Sequence, residues 1–362
     1  MDTGGFYVFL ISTTTSVLFS LVIAKYRNKK KQFENEENSR KVQKVLASHS
    51  DSWEKVGTVS ELWSYPLKSG RGKQLESADF TESGICIEKT GVLTLRDRMF
   101  ILFNEDTKRF ATARQHPKLV LVEVSPEGQE TVRFKFGKDS FTMSLPEDSD
   151  EDDLKFFECT MWFKECVRCV DCGDEVSRWI SRMVADGEQG LRLGMYMPKC
   201  KRKVMECPTW REFCENYFHL RNEDAGLFSD LASYMVLSQS SVDDLNNRLS
   251  KPIKPSQLRP NLVIRGCKPY AEDEWDWIKI GDSVIIRKFK LCTRCTMVII
   301  DPDSGERDAE SEPLKTLRTY RRLQNAEHDK LESYAPAMGI YCGLYRSGIV
   351  NFDDAVYILK DN

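Results

Sequence analysis

The sequence predicts a mainly β chain with α-helical insertions (α+β), carried on a single N-terminal transmembrane helix. Three observations lead to this prediction. Short runs of β-branched and aromatic residues alternate with turn residues along most of the 362-residue chain. Helical periodicity is confined to a few segments, and strands and helices do not alternate in a βαβ rhythm. The chain begins with a long uncharged apolar stretch.

The composition is that of a globular protein with a substantial core. Hydrophobic residues make up 41% of the chain and aromatic residues 10%, which excludes disordered, collagen-like and disulfide-stapled classes. The net charge is only −3, from 53 Lys and Arg against 56 Asp and Glu, so no nucleic-acid partner is expected. The length allows one large domain or two moderate ones.

Residues 3–24 contain no charged side chain and are predicted to form a transmembrane signal-anchor. Only Asp2 precedes this stretch, whereas basic residues follow it at Lys25, Arg27, Lys29, Lys30 and Lys31. This polarity is the reverse of a secretory signal, and the positive-inside rule predicts that the rest of the chain faces the cytosol. A buried helix of a soluble fold is the alternative.

The highly charged residues 25–52 are predicted to be a tether or a solvated helix. The folded part begins near Val56, with strands predicted at Met99–Phe103, Leu119–Val124, Thr131–Phe136, Asn261–Ile264, Ser283–Arg287, Thr296–Ile300 and Ala355–Leu359. Helices are predicted at Asp174–Val184, at Ser241–Leu249 with Ser241 as its cap, and at Leu314–Arg322. The acidic run Glu147–Asp153 is expected to be a solvated loop.

Two cysteine clusters are candidate sites among the chain's twelve cysteines, most of which a reducing cytosol would keep as thiols. Cys292 and Cys295 form a C-x-x-C motif that fits a redox pair, half of a zinc site or two packing cysteines. Cys166, Cys169 and Cys172 have a spacing seen in iron–sulfur and zinc sites. Four ligands are normally needed, and the four scattered histidines form no ligand pair, so packing in a half-buried strand is preferred for this second cluster.

Basic and hydroxyl side chains gather in loops at the ends of predicted strands. They include Lys68, Ser69, Arg96, Arg98, Arg114 and Arg259. Such residues supply forked or point-charge donors for an anionic, phosphate-bearing ligand, although ordinary surface charge explains them as well. The sequence contains none of the common hydrolase, kinase or nicotinamide-binding motifs.

A set of short motifs occurs in one order along the chain. They are Val56-Gly57-Thr58-Val59, Tyr65-Pro66-Leu67-Lys68-Ser69, Leu95-Arg96-Asp97-Arg98, Ala111-Thr112-Ala113-Arg114-Gln115, Arg259-Pro260-Asn261, Cys292-Thr293-Arg294-Cys295 and Asp301-Pro302-Asp303-Ser304-Gly305. This ordered set resembles the molybdenum-cofactor sulfurase C-terminal (MOSC) family, and within it the mitochondrial amidoxime reducing components, over about Val56 to Leu359. The resemblance implies an N-terminal β-barrel-like MOSC domain at residues 53–180 and a MOSC β-barrel domain with helical insertions at residues 181–362.

The resemblance also implies a molybdenum cofactor, in which molybdopterin holds the metal through a dithiolene. Cys295 would be the protein's ligand to molybdenum and part of the catalytic centre, and a soft thiolate suits such a metal. Arg294 beside it would favour the thiolate. The cofactor-binding residues would be Lys68, Ser69, Arg98, Arg259, Asn261, Arg294 and Cys295. Asp230 matches an acidic position near the metal and is expected to donate a proton or orient water, whereas Cys292 and Cys267 are expected to be non-ligands.

The function implied is reduction of N-hydroxylated compounds, such as amidoximes and hydroxylamines, to amidines or amines. Electrons would come from cytochrome b5 and its NADH reductase, beside which the membrane helix would hold the enzyme, on the outer mitochondrial membrane facing the cytosol. The alternative is a non-catalytic protein that binds or carries the molybdenum cofactor. The sequence departs from the family at Leu231 and Ala232, where relatives often have hydroxyl residues, and at Gly70-Arg71, where relatives carry Cys-Lys.

Overall fold

The computed structural model describes residues 40–47, 52–90, 93–128, 130–145, 154–185, 190–217 and 220–360. The chain divides into two compact units, residues 1–52 and 53–362. In the first unit, residues 40–46 of the predicted tether or solvated helix form helix α1. The predicted transmembrane segment at residues 3–24 lies outside the described residues. Within the described ranges, no helix combines the length and the apolar character needed to cross a bilayer.

The second unit is mainly β with short helices, so the predicted class is confirmed for this unit. Its described strands are β1 (Trp53–Ser64), β2 (Lys73–Leu75), β3 (Ser77–Thr81), β4 (Gly84–Thr90), β5 (Leu93–Arg96), β6 (Phe100–Asn104), β7 (Phe110–Ala111), β8 (Glu123–Pro126), β9 (Thr131–Phe136), β10 (Asp139–Ser144), β11 (Phe156–Thr160), β12 (Cys166–Asp171), β13 (Leu191–Met195), β14 (Tyr234–Ser238), β15 (Leu262–Arg265), β16 (Trp277–Ile280), β17 (Val284–Thr293), β18 (Ala337–Arg346), β19 (Gly348–Asn351) and β20 (Ala355–Leu359). Its described α-helices are α2 (Asp174–Val184), α3 (Pro208–Cys214), α4 (Gln239–Asn246), α5 (Leu314–Tyr320) and α6 (Ala326–Leu331).

Seven of these strands close into a barrel. Their order is β15-β14-β18-β17-β16-β20-β1, and β1 pairs again with β15, while β2 adds to the outside of β1. All pairs in the ring are antiparallel except β14 with β15. Closure leaves these strands without a free edge, and their inward side chains, such as Leu62, Ile264, Ile278 and Ile286, are fully buried.

The contact of β1 with β15 requires a glycine. A Cβ at Gly57 would lie 2.2 Å from the carbonyl oxygen of Arg265, so a larger residue would push the two strands apart. Because β1 also pairs with β20, the first and last strands of this unit belong to the same ring.

The remaining strands form three further sheets, in the orders β11-β12-β13-β6-β7, β10-β9-β8 and β19-β3-β4-β5. Helix α2 covers part of this region with the buried face of Val176, Trp179, Ile180 and Val184. This helix has the bounds that the sequence predicts, because its apolar residues recur at helical spacing after an acidic first turn.

One predicted strand is partly right and another is wrong. Leu119–Val124 begins inside the 3-10 helix Pro117–Leu121 and ends in β8, with Glu123 and Val124, whereas Thr296–Ile300 contains the 3-10 helix Thr296–Ile299. Both segments bury apolar side chains, and a short apolar run does not distinguish a strand from a helical turn. In the first case Pro117 favours the helical turn, since its fixed φ suits a first helical position.

The helix predicted at Ser241–Leu249 begins earlier, as α4, and Ser238 is its cap. The Ser238 hydroxyl accepts a hydrogen bond from the backbone N–H of Ser241 at 3.2 Å. Both serines satisfy the residue preference for a cap, so the sequence alone does not decide between them.

Candidate functional site

The residues predicted for the site come together around one pocket. Lys68, Ser69, Arg98, Asp230, Arg259, Asn261, Arg294 and Cys295 all line it. They lie in the loop after β1, between β5 and β6, before β14, before β15 and after β17. The fold therefore brings together around one pocket side chains that are more than 200 residues apart in the sequence.

Three of these residues have left-handed backbone conformations: Ser69 (φ 67°), Arg98 (φ 50°) and Arg259 (φ 57°). Such conformations are unfavourable for residues other than glycine and are often found at functional sites. The loops are held by backbone hydrogen bonds, including Lys68 N–H to Phe100 O and Arg98 N–H to Tyr65 O, both at 2.8 Å. The pocket walls are thus preformed by the backbone.

Lys68 and Asp230 form an ion pair at the pocket. The Lys68 ammonium donates to Asp230 Oδ1 at 2.6 Å and to the Phe228 carbonyl at 2.7 Å. Asp230 Oδ1 also accepts from the Trp162 indole N–H at 2.7 Å. Burial alone would raise the pKa of Asp230, but the charge of Lys68 and these hydrogen bonds, with Arg114 nearby, hold it well below its usual range. The carboxylate is therefore ionised, which suits orientation of water better than donation of a proton.

Burial lowers the pKa of the Lys68 ammonium, and Asp230 offsets only part of this effect. The Lys68 side chain is 6% exposed, whereas that of Asp230 is 51% exposed. The lysine of this pair is therefore enclosed by protein, and the carboxylate faces the pocket.

Two arginines stack on one tyrosine beside this pair. The guanidinium groups of Arg98 and Arg259 lie over the Tyr65 ring, 4.5 and 4.1 Å from its centre. Arg98 donates to Asn261 Oδ1 at 3.3 Å and pairs with Asp97. Burial, with the neighbouring charge of Arg98 acting in the same direction, lowers the pKa of Arg259 to about 10 even though Tyr65 opposes the shift. An anionic ligand would offset the repulsion between these two buried cations.

The C-x-x-C loop places its two thiols differently. Cys292 is buried, and Cys295 is exposed and lines the pocket at the start of the 3-10 helix Thr296–Ile299. Arg294 Nη1 donates to Cys292 Sγ at 2.8 Å, and Nη2 donates to the Leu258 carbonyl. The Arg294 guanidinium therefore donates to the Cys292 thiol and not to the Cys295 thiol that it was expected to stabilise. Through Cys292 it holds the loop in place.

The cysteines at Cys166, Cys169 and Cys172 do not share a face. Cys166 and Cys169 are three positions apart on β12, where side chains alternate, so the first is exposed and the second is buried. A hydrogen bond with Cys159, together with burial, raises the pKa of the Cys169 thiol. Within the described ranges, no three His, Cys, Asp or Glu side chains are grouped to hold a metal ion. Cys267 is half-buried and is not among the residues lining the pocket.

Arg114, one of the basic loop residues named from the sequence, also lines the pocket. Sequence reasoning missed other residues of this region: Ser229 lines the pocket, and Trp162 hydrogen-bonds to Asp230. Arg202 is buried and donates to the carbonyls of Gly226 and Ser229, just before Asp230. Ser229, Trp162 and Arg202 lie in none of the ordered motifs, so no motif could have indicated them.

Two family models match the chain. The MOSC N-terminal beta barrel domain matches residues 56–187, and the MOSC domain matches residues 223–357. Individual relatives agree: the chain is 34% identical to mitochondrial amidoxime-reducing component 1 of Mus musculus over 307 residues, 84% of this chain and 83% of the relative. It belongs to the amidoxime-reducing component family of MOSC proteins. Component 1 of Homo sapiens is also 34% identical, with 84% of each chain covered, and component 2 of Bos taurus is 33% identical over 304 residues, again 84% of each chain.

Proposed function

We propose that this MOSC protein is a molybdenum-dependent oxidoreductase that reduces N-hydroxylated compounds such as amidoximes and hydroxylamines. The observation that carries the proposal is the convergence of an exposed thiol, Cys295, with a wall of cationic and hydroxyl side chains around one pocket. The names of the relatives, amidoxime-reducing components, support the substrate class.

The chemistry of the pocket fits a phosphate-bearing pterin cofactor. Five cationic side chains, those of Lys68, Arg98, Arg114, Arg259 and Arg294, line it against one acidic side chain, that of Asp230. Arg259 Nη2, Arg294 Nε and Ser229 Oγ are buried and have no hydrogen-bond partner among the described residues. An unpaired buried polar group costs about 1–3 kcal/mol, so a polar ligand at this position would stabilise the pocket.

When bound, a molybdenum cofactor supplies two-electron redox chemistry at the metal. Cys295 is proposed as its protein ligand, since a thiolate is a soft donor and this thiol faces the pocket. Lys68, Ser69, Arg98, Arg259, Asn261 and Arg294 are proposed to hold the cofactor's phosphate and pterin. Ionised Asp230 is proposed to orient water or the substrate's N–O group, and Lys68 holds the nearest buried proton.

The proposal extends to partners and location. Cytochrome b5 and its NADH reductase are proposed as electron donors, and residues 3–24 are proposed as the anchor to the outer mitochondrial membrane, with the rest of the chain facing the cytosol. The word "mitochondrial" in the relatives' names supports the organelle. We also propose a division into domains at residues 53–180 and 181–362. Two separate family matches, to residues 56–187 and 223–357, support two parts, and the first match ends seven residues after the proposed boundary.

The test is metal and pterin analysis of the purified full chain, combined with reduction of benzamidoxime by a reconstituted electron donor. We expect the wild type to contain molybdenum and pterin and to turn over substrate. The Cys295→Ser variant should lose both its bound molybdenum and its turnover. Cys267→Ser is the matched control, because this half-buried cysteine is not among the pocket-lining residues. Wild-type protein without molybdenum and pterin would overturn the proposal, and full occupancy without turnover would favour the cofactor carrier.

A further inference from the structure

Arg114 differs from the other cations of the pocket. Lys68 is paired with Asp230, Arg98 with Asp97, and the guanidinium groups of Arg259 and Arg294 donate to backbone carbonyls. Among the described residues, the half-buried Arg114 side chain makes neither an ion pair nor a hydrogen bond, although it lines the same pocket. Its donor groups are therefore available to a ligand.

The Arg114 guanidinium lies over the Trp162 indole, 4.0 Å from the ring centre. Stacking uses the face of the guanidinium and leaves the N–H groups at its edges free to donate. These edges form a planar fork that matches the two oxygens of a carboxylate.

Trp162 is itself held on two sides. Its N–H donates to Asp230 Oδ1 at 2.7 Å, and its ring meets the Phe110 ring edge-on, with 4.6 Å between centres. The Arg114 backbone is also fixed, because its N–H donates to Thr112 Oγ1 at 3.3 Å and its carbonyl accepts from Arg307 at 2.5 Å. A fork that is already positioned loses less conformational entropy when it binds a ligand.

The neighbouring acid does not cancel this cation. Asp230 Oδ1 already accepts from both Lys68 and Trp162, and the other lining charges are positive. An anionic group that reaches Arg114 therefore meets a cation whose charge no ion pair among the described side chains offsets, which favours its binding.

We propose that Arg114, resting on Trp162, binds the carboxylate of substrates that carry a carboxylate in addition to their N-hydroxyl group. This inference rests on the proposed function for its substrate class. It makes Arg114 a specificity-determining residue of the N-hydroxy reductase, separate from the residues proposed to hold the cofactor.

The test compares benzamidoxime with its 3-carboxy and 4-carboxy derivatives in the wild type, Arg114→Met and Arg114→Lys. The quantity compared is the kcat/KM for the better carboxylated substrate divided by the kcat/KM for benzamidoxime. We expect this ratio to fall about tenfold or more in Arg114→Met. It should fall less in Arg114→Lys, because lysine keeps the positive charge but lacks the planar fork of donors. Arg168→Met is the matched control, because Arg168 also stacks on an aromatic ring, that of Phe156 at 3.9 Å, but is not among the pocket-lining residues. Its ratio should equal that of the wild type.

A second measurement does not depend on turnover. The affinity of benzoate for the purified holoenzyme, measured by calorimetry, should weaken in Arg114→Met by a similar factor and stay unchanged in Arg168→Met. Equal benzoate affinity in the wild type and Arg114→Met, or an unchanged substrate ratio, would overturn the inference. Loss of molybdenum and pterin from Arg114→Met would also overturn it, because Arg114 would then hold the cofactor. Failure of the wild type to reduce any of the three substrates would refute the proposed function, while benzoate binding would still test Arg114.

Discussion

Replacing Arg202 with methionine tests the buried network behind the Asp230 loop. The Arg202 and Glu165 side chains are 2% and 5% exposed, and they form two hydrogen bonds with each other at 2.8 and 2.7 Å. Arg202 also donates to the carbonyls of Gly226 at 2.9 Å and Ser229 at 2.8 Å. Removing one partner of a buried pair leaves an uncompensated charge and costs about 3–5 kcal/mol.

This free energy corresponds to a measurable change in melting temperature. The unit at residues 53–362 has about 310 residues, and at roughly 2.1 cal/mol/K per residue its unfolding entropy is about 0.65 kcal/mol/K. A loss of 3–5 kcal/mol should therefore lower the melting temperature of Arg202→Met by about 5–8 °C. Thermal unfolding followed by circular dichroism measures this shift.

Arg265→Met is the control for this experiment. Arg265 pairs with Asp353 at 2.7 Å, but the two side chains are 49% and 60% exposed. Such a surface pair contributes at most about 1 kcal/mol, so its loss should shift the melting temperature by less than about 2 °C. The reasoning is refuted if Arg202→Met melts no lower than Arg265→Met, since the buried network would then contribute no more than a surface pair.

The remaining predictions concern the site and one helix cap. The pKa of Asp230 is lower in the folded state than in the unfolded state. Its ion pair with Lys68 therefore makes its full contribution to stability above the unfolded-state pKa of about 4. That contribution is lost as the pH falls below this value. The wild type should exceed Asp230→Asn in its free energy of unfolding at pH 7, and this difference should shrink between pH 5 and pH 3 in urea titrations; a difference that grows toward pH 3 would contradict the assigned shift. Ser238→Ala should lose about 1 kcal/mol of stability to urea, because it removes the cap of α4. A Ser238→Ala variant with the same free energy of unfolding as the wild type would contradict the observed cap.

Sequence patterns predicted those elements whose pattern is long or whose boundaries are marked. Helix α2 has apolar residues at helical spacing over eleven positions, and the residues of β9 alternate between buried and more exposed positions. The patterns failed where only a few apolar residues follow one another, at Leu119–Val124 and Thr296–Ile300. There, burial of the side chains in a core, rather than local periodicity, selects the 3-10 turn.

The candidate site was predictable as a set of residues but not as a set of contacts. The motif order identified Lys68, Arg259 and Cys295, and the structure brings these residues to one pocket. The partners that set their charges come from distant segments without a motif: Asp230 is 162 positions after Lys68 and was placed only through the family resemblance, and Trp162 was not predicted at all.

By itself, the sequence determined the mainly β class, the order of the motifs and several of the basic residues that line the pocket, because these depend on local pattern and residue chemistry. Only the tertiary structure decided that β1 closes the barrel against β15, that Arg294 donates to Cys292, and that Arg114 rests on Trp162 with its donors free. These features depend on contacts between segments far apart in the chain, and such contacts are selected by burial, charge pairing and strand register acting together. Such contacts therefore cannot be predicted from a local sequence pattern.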